Sequence, residues 1–236
     1  NYDEKYLASV SLRRDGSSKF GSENKWGWFP AVSLGWRLNK ESWFEDAANL
    51  SDLKLRAGFG VTGNQDFSSY KSLLLMDPFS FYYYDGKWVT SYAPASNPNP
   101  NLAWERKNEF NVGVDFAFFG NRFGGTLDYY YRLTTNLLYN YTVPVPPYDY
   151  GTIFTNVGSI CNQGLELTLF GTPVQKKNVE WNTTLTLAKN SNKLIKFTNE
   201  EFTSGEYKVG YMSTPIGAYS QRLIEGQSLG TFYAPI

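Results

Sequence analysis

Residues Leu102 to Thr135, LAWERKNEFNVGVDFAFFGNRFGGTLDYYYRLTT, contain the clearest structural pattern in this chain. Apolar side chains recur at every second position on both sides of Gly120-Asn121, and mostly small, polar or charged residues fill the positions between them. A period of two is that of a β-strand with one apolar face. A Gly-Asn pair between two such runs favours a tight turn. The stretch therefore predicts a hairpin whose first strand carries its apolar face on Phe110, Val112, Val114, Phe116 and Phe118, and whose second carries it on Phe123, Leu127, Tyr129, Tyr131 and Leu133.

The length of the two strands indicates which solvent the apolar face meets. Soluble β-sandwiches show the same alternation, so the pattern alone does not decide. A tilted strand of about nine to eleven residues crosses the hydrocarbon of a bilayer, and the strands of this hairpin have that length. The wall of a transmembrane β-barrel is therefore the leading interpretation, and a soluble sandwich is the alternative.

Five further stretches alternate in the same way and predict strands at residues 6–13, 30–38, 53–62, 165–170 and 179–188. The connections between strands differ in length. Residues 63–103 and 140–156 are long and rich in Tyr, Pro and Asn, whereas residues 120–122 and 171–178 make short turns. Outer-membrane barrels have short turns on one side and long loops on the other, which agrees with this pattern. Residues 39–52 predict a connector with a helical turn, and the strand signal weakens after Asn190.

The composition excludes several classes of protein. Lys plus Arg and Asp plus Glu number 22 each, so no net basic field favours nucleic acid. No run of apolar residues approaches the ~18 of a membrane helix. The chain has no histidine, and its single cysteine, Cys161, permits neither an internal disulfide nor a CxxC zinc site. We therefore predict a protein that is not an enzyme and that uses no metal or cofactor.

Aromatic residues supply the candidate binding sites, since Phe, Tyr and Trp make up 18% of the chain. We expect most tryptophans to form an interfacial girdle near strand ends or to pack beneath a loop. The aromatics of the two long loops are different, because exposed rings can stack on sugars or on peptide side chains. Loop self-packing and docking of a partner protein remain alternatives for them. The candidate substrate-binding residues are Tyr83, Tyr84, Trp88, Tyr148 and Tyr150.

Charged residues of the predicted strands mostly occupy the polar positions. We expect them to face a polar lumen as a salt-bridged inner wall. The charged positions concerned are Lys54, Arg56, Glu109, Asp115, Asp128, Arg132 and Glu166.

Several blocks together resemble a known family. RRDGSSKFG, KWGWFPAVSLGWRL, LSDLKLRAGFGVTGNQ, the block from NPNPNLAWERKNEF to YYYRLTTNLL, and NVGSICNQGLELTL resemble, in this order, the C-terminal barrel half of SusC/RagA-type TonB-dependent outer-membrane transporters of Bacteroidetes. The resemblance covers about residues 1–190. It departs at Cys161, where the family usually has a basic residue.

The resemblance implies an all-β fold that is part of a large antiparallel barrel, of 22 strands in the family, plugged by an N-terminal domain. Residues 1–236 would be the C-terminal portion of that barrel, with the plug domain, the TonB-contacting N-terminal region and the final strand absent from this chain. The implied location is the outer membrane. The implied function is active import of oligosaccharides or oligopeptides.

The resemblance also implies partners. These are a SusD-like surface lipoprotein that closes the barrel mouth, TonB, outer-membrane lipid, the oligosaccharide or peptide substrate and, as a dimer, a second transporter-lipoprotein pair. The alternative function is a soluble β-sandwich carbohydrate-binding module, which requires the apolar strand faces to be buried against each other. A glycoside hydrolase is disfavoured, because no carboxylate pair is marked in the sequence.

Overall fold

The computed structural model describes residues 1–44, 49–198 and 206–233, and its regular structure is almost entirely β-strand. No helix among these residues has the length and apolar character needed to cross a membrane. The described residues form fourteen strands, which are β1 Tyr6–Gly16, β2 Trp26–Arg37, β3 Leu50–Asn64, β4 Met76–Tyr84, β5 Lys87–Pro94, β6 Glu105–Phe118, β7 Phe123–Thr135, β8 Leu138–Thr142, β9 Thr152–Asn156, β10 Ser159–Lys176, β11 Val179–Lys196, β12 Glu206–Met212, β13 Ala218–Ile224 and β14 Thr231–Phe232.

Seven long strands form one antiparallel sheet in the order β1-β2-β3-β6-β7-β10-β11. Each strand pairs with the next long strand along the chain, so the sheet is a simple meander. These are the seven strands that the sequence predicts, and the hairpin of β6 and β7 lies near the centre. The smaller strands form the hairpins β4-β5 and β8-β9 and the three-stranded sheet β12-β13-β14.

The register brings like residues together across the sheet. One cross-strand row contains Val10, Val32, Phe59, Phe110 and Tyr131. A row three residues away, on the opposite face, contains Gly35, Arg56, Gly113, Asp128 and Glu166. Since paired residues share a face, the sheet has an apolar face and a polar face, as the alternation predicts.

The apolar face is uncovered. Val10 is 76% exposed, Leu12 64% and Leu34 55%, and no second sheet packs on them in the described part of the chain. A β-sandwich would bury this face, so the sandwich prediction is wrong. A barrel wall turns its apolar face to lipid and therefore shows the same exposure.

The two ends of the sheet differ. The short-turn end carries the connections at 38–49, 119–122 and 177–178, and the long-loop end carries those at 17–25, 65–104 and 136–158. At the short-turn end, the Ser51 hydroxyl accepts hydrogen bonds from the backbone amides of Gly120 and Asn121, which fixes the turn between β6 and β7.

Several predicted boundaries are wrong. Strand β10 extends through an irregularity between Gly171 and Val174 to Lys176, so the turn predicted at 171–178 is only the pair 177–178. Strand β11 continues past Asn190, where the sequence signal weakens. The predicted connector at 39–52 contains two 3-10 turns, Leu38–Lys40 and Ser42–Phe44, and ends where β3 begins at Leu50; residues 45–48 lie outside the described part.

Candidate functional site

The polar face of the sheet carries a network of ion pairs between strands. The Arg56 guanidinium on β3 lies 2.8 Å from a carboxylate oxygen of Asp115 on β6 and 2.8 Å from one of Asp128 on β7. Arg132 on β7 pairs with Glu109 on β6 at 2.9 Å. These pairs agree with the predicted salt-bridged inner wall. Their charges partly offset one another across the centre of this face.

Glycine residues shape the same face. Gly113 lies between Arg56 and Asp128 in the register, and a Cβ built there would lie 2.8 Å from the Arg56 guanidinium nitrogen and closer still to the Asp128 carboxylate. Gly60 is different, because a Cβ there would meet only the Cβ of Ala31 at 3.7 Å. The face around Gly58 and Gly60 forms an open depression of about 600 Å³ that Lys54, Glu109 and Asn111 also line.

The long-loop end holds two buried clusters. One contains Phe20, Phe29, Leu102 and Trp104, and Leu102 is fully buried in it. Trp104 therefore packs beneath loops, one of the two roles predicted for the tryptophans. The second cluster contains Tyr141, Val143, Ile153, Val157, Leu194 and Phe197. Tyr139 and Tyr148 pack against it, and burial, aided by neighbouring Tyr207, raises the pKa of Tyr139 to about 12.

The segment NPNPNL at 97–102 binds one long loop to the next. The Asn97 side chain is buried; its amide donates to the carbonyls of Tyr150 and Thr152, and its oxygen accepts from the amides of Asp149 and Tyr150. The Asn99 side chain donates to the carbonyl of Phe154. Asn156 completes the contact by pairing with the backbone of Ala103 at 2.7 and 2.8 Å. We call these three side chains, Asn97, Asn99 and Asn156, the asparagine clasp.

The asparagine clasp was not predicted from the sequence, in which NPNPN indicates only a loop. The alternation of Asn with Pro was an available signal. Proline has no backbone donor, which limits the segment's own backbone pairing, and asparagine side chains bond readily to neighbouring backbone groups.

The β4-β5 hairpin projects from the first long loop with both faces exposed. All nine side chains of β4 are exposed, and the turn is made by Asp85 and Gly86, both with positive φ, as a tight two-residue hairpin turn requires. Exposed rings include Phe79, Phe81, Tyr82, Tyr83, Tyr84, Trp88 and Tyr92. The first long loop therefore contains a hairpin of its own.

The five candidate binding residues lie in different environments in the structure. Tyr83 and Trp88 are cross-strand partners on the hairpin, with ring centroids 5.5 Å apart at 67°. Tyr84 pairs with Lys87 and lies on the opposite face of the hairpin. Tyr148 is only partly exposed and packs on a buried cluster, whereas Tyr150 is half-exposed beside Asn97. The pair Tyr83 and Trp88 is thus the strongest candidate platform among them.

The described residues contain no group of three or more His, Cys, Asp or Glu side chains that could hold a metal ion. Cys161 is a buried free thiol on β10, opposite Leu133. The groups that the site offers are aromatic surfaces, amides and ion pairs.

Comparisons with known proteins agree with this architecture. The family model described as TonB dependent receptor-like, beta-barrel, matches residues 1–230. TonB-dependent receptor P39 of Formosa agariphila is 34% identical over 99% of this chain and 21% of its own length. TonB-dependent receptor SusC of Bacteroides thetaiotaomicron is 31% identical over 92% of this chain and 24% of its own length.

A solved structure gives the same result in three dimensions. The structure of the RagAB peptide transporter superposes with a TM-score of 0.81 and 27% identity, over 95% of this chain and 23% of the matched chain. This chain spans between a fifth and a quarter of the length of these relatives.

Proposed function

Because this chain belongs to the family of TonB-dependent receptor-like β-barrels, we propose that it forms part of the wall and mouth of an outer-membrane transporter importing oligosaccharides or oligopeptides. The observation that carries this proposal is the seven-stranded sheet itself. Its apolar face is bare, its opposite face is ion-paired, and its two longest loops lie at the same end. A membrane barrel wall requires all three features.

The difference between the two ends of the sheet supports an orientation for the wall. The short-turn end faces the periplasm and the long-loop end faces the outside, where the asparagine clasp and the two buried clusters hold the loops together. We propose that the chain is the C-terminal portion of the barrel. Contact with TonB and gating by a plug are then assigned to other parts of the full-length protein.

The projecting hairpin is the proposed ligand-contacting element. Tyr83 and Trp88 are 63% and 71% exposed, and their rings meet edge to face at 67°, which gives a cargo two adjoining apolar surfaces. Rings of this kind bind sugar rings and peptide side chains alike. Similarity to the RagAB peptide transporter supports a peptide cargo, and the resemblance to SusC/RagA-type transporters keeps oligosaccharides in the proposal. A lipoprotein lid and a dimer of transporter-lipoprotein pairs are the proposed partners.

The test uses the full-length protein purified from outer membranes in detergent, with its copurifying proteins identified. Oligosaccharide and oligopeptide pools are titrated against the wild type, the double variant Tyr83→Ala/Trp88→Ala and a control, Tyr211→Ala/Tyr219→Ala. The control removes another exposed ring pair, 5.2 Å apart, at a different element. We expect the hairpin variant to weaken binding of one pool by about tenfold, and the control to leave it unchanged.

Two results would count against the proposal. Recovery of the full-length protein as a soluble species without detergent would refute the proposal that the sheet is a barrel wall. Equal binding by the wild type and the hairpin variant would refute the role of Tyr83 and Trp88 in binding, but it would leave the transporter proposal standing.

A further inference from the structure

Charge is segregated between the two faces of the seven-stranded sheet. The register and alternation assign every carboxylate of these strands, all of whose residues are described, to the polar face: Asp15, Asp52, Glu105, Glu109, Asp115, Asp128, Glu166 and Glu180. The apolar face has cations but none of these carboxylates. Four of the cations, Arg14, Arg106, Lys189 and Lys193, lie in the halves of their strands nearer the long-loop end.

Two of these cations meet at one tryptophan. The Arg14 guanidinium lies 4.5 Å from the ring centroid of Trp26 and 5.2 Å from that of Trp28. A guanidinium nitrogen of Arg106 donates to the backbone carbonyl of Trp28 at 3.2 Å. We call Arg14, Trp26, Trp28 and Arg106 the arginine-tryptophan rim. Trp26 is 61% exposed and Trp28 50%, and both arginines are exposed.

The chemistry of the arginine-tryptophan rim suits a phosphate. A planar guanidinium presents a fork of N–H donors that matches two phosphate oxygens, and stacking on an indole leaves those in-plane donors available. One carbonyl contact uses only part of the donor set of Arg106. A carboxylate on the same face would repel the phosphate, and the strands carry theirs on the other face.

The position of the rim suits a lipid. On the same face, toward the short-turn end, the strands present the exposed side chains Val10, Leu12, Val32 and Leu34. An acyl chain lying along these residues would place its headgroup at the level of the rim. Tryptophan and long cationic side chains are the residues that stabilise a protein at that boundary.

We propose that the arginine-tryptophan rim binds the phosphate of an anionic lipid in the leaflet on the long-loop side, with its acyl chains along the adjoining apolar strands. This inference rests on the proposed function, because it requires the apolar face to lie in a bilayer. It goes further in assigning a ligand class to one part of that face, whereas a barrel wall in general requires only lipid contact. Lys189 and Lys193 lie on β11, three strands from β6 and farther from β1 and β2, and they are not needed for it.

The experiment compares three forms of the full-length protein in nanodiscs of phosphatidylcholine, with or without phosphatidylglycerol. The forms are the wild type, Arg14→Gln/Arg106→Gln and a control, Lys176→Gln/Lys177→Gln, which removes the same charge from the short-turn end. Lys176 ends β10 and Lys177 lies in the turn, and both are exposed. Phosphatidylglycerol retained after extraction into mild detergent is counted by mass spectrometry.

We expect the wild type and the control to retain phosphatidylglycerol and the rim variant to retain roughly tenfold less. Equal retention by all three forms, or an equal loss in both variants, would overturn the proposal, because general attraction to the surface would then explain binding. Inorganic phosphate that displaces the lipid at equal concentration would also overturn it, since the lipid would contribute nothing.

Failure of this inference is distinguishable from failure of the proposed function. The rim variant should still insert in the outer membrane and bind cargo at the hairpin, since neither Tyr83 nor Trp88 contacts the arginine-tryptophan rim. A full-length protein that never enters the membrane would instead refute the transporter, whatever lipid it retains.

Discussion

Gly113 allows the guanidinium of Arg56 to cross one strand and reach the next. Arg56, Gly113 and Asp128 lie opposite one another on β3, β6 and β7, so the ion pair spans the middle strand directly above the glycine. Any larger residue would occupy that path. A glycine inside a strand usually weakens it, and here it is offset by a bridge that ties three strands together.

Gly113→Ala should therefore destabilise the protein. The added methyl group displaces the Arg56 guanidinium from Asp128, and because both side chains are about one-third exposed the expected loss is modest, about 1 kcal/mol. Thermal unfolding of the full-length protein in detergent measures it. Gly60→Ala is the matched control, as its Cβ would make only an ordinary contact with Ala31, and its stability should be unchanged or slightly raised. Equal losses in both variants would show that the bridge has no part in the effect.

The long loops behave as one element because the asparagine clasp joins them. Asn97 makes four hydrogen bonds to residues 149–152, more than fifty residues further along the chain, and its side chain has almost no solvent contact. Asn97 follows β5 of the projecting hairpin by three residues, and its bond to Thr152 reaches the first residue of β9. The clasp therefore ties the base of one hairpin to the other. A buried amide with all of its bonding groups used is costly to remove, since its partners lose their bonds as well.

Asn97→Ala should loosen the second long loop without unfolding the sheet. Loss of the four bonds exposes the backbone at 149–152, and we expect hydrogen exchange there to accelerate by tenfold or more, equivalent to about 1.4 kcal/mol. Asn101→Ala is the control, because the Asn101 side chain is exposed and its backbone, which the substitution keeps, makes the hydrogen bonds to Asn24 and Asn99. Acceleration in both variants, or in neither, would contradict the role of the clasp.

At the scale of the molecule, the small sheet β12-β13-β14 is attached to the long-loop end of β11. The backbones of Leu194 and residues 226–227 exchange hydrogen bonds of 2.9 and 2.7 Å, and the Glu225 carboxylate accepts from the Phe197 amide at 2.6 Å and the Thr198 hydroxyl at 2.9 Å. These bonds, chiefly that from the Phe197 amide, lower the pKa of Glu225 below its ordinary value. The contact is therefore formed by the ionised carboxylate.

This attachment should depend on pH. A carboxylate whose pKa is lower in the folded state stabilises the fold above its unfolded pKa of about 4.3, and the stabilisation disappears as the pH falls through the folded value. Exchange of the Phe197 amide, corrected for its intrinsic rate, should accelerate below about pH 4 in the wild type. Glu225→Gln keeps an acceptor oxygen without a titrating group, so its exchange should show no such step. A step of the same size in that variant would assign the effect to another group.

The seven long strands and their faces were determined by the sequence itself. Alternation is a local property, because burial or lipid contact on one face of a strand favours an apolar side chain at every second residue. The pattern from Phe110 to Phe118 therefore predicts its strand without any knowledge of the neighbouring strands. The inward position of Arg56, Asp115 and Asp128 follows from the same period. The family resemblance extended this to a barrel, and the family model confirmed it.

Only the tertiary structure decided the arrangement of the long-loop end. Hairpin β8-β9, the sheet β12-β13-β14 and the asparagine clasp depend on contacts between residues far apart in the chain, which no local period encodes. The exposure of the candidate tyrosines could not be predicted from the sequence either. In the fold, Tyr148 packs on a buried cluster, whereas Tyr83 lies beside Trp88 in solvent. A ring in a loop has no periodic partner, so its exposure is set by what the rest of the fold places against it.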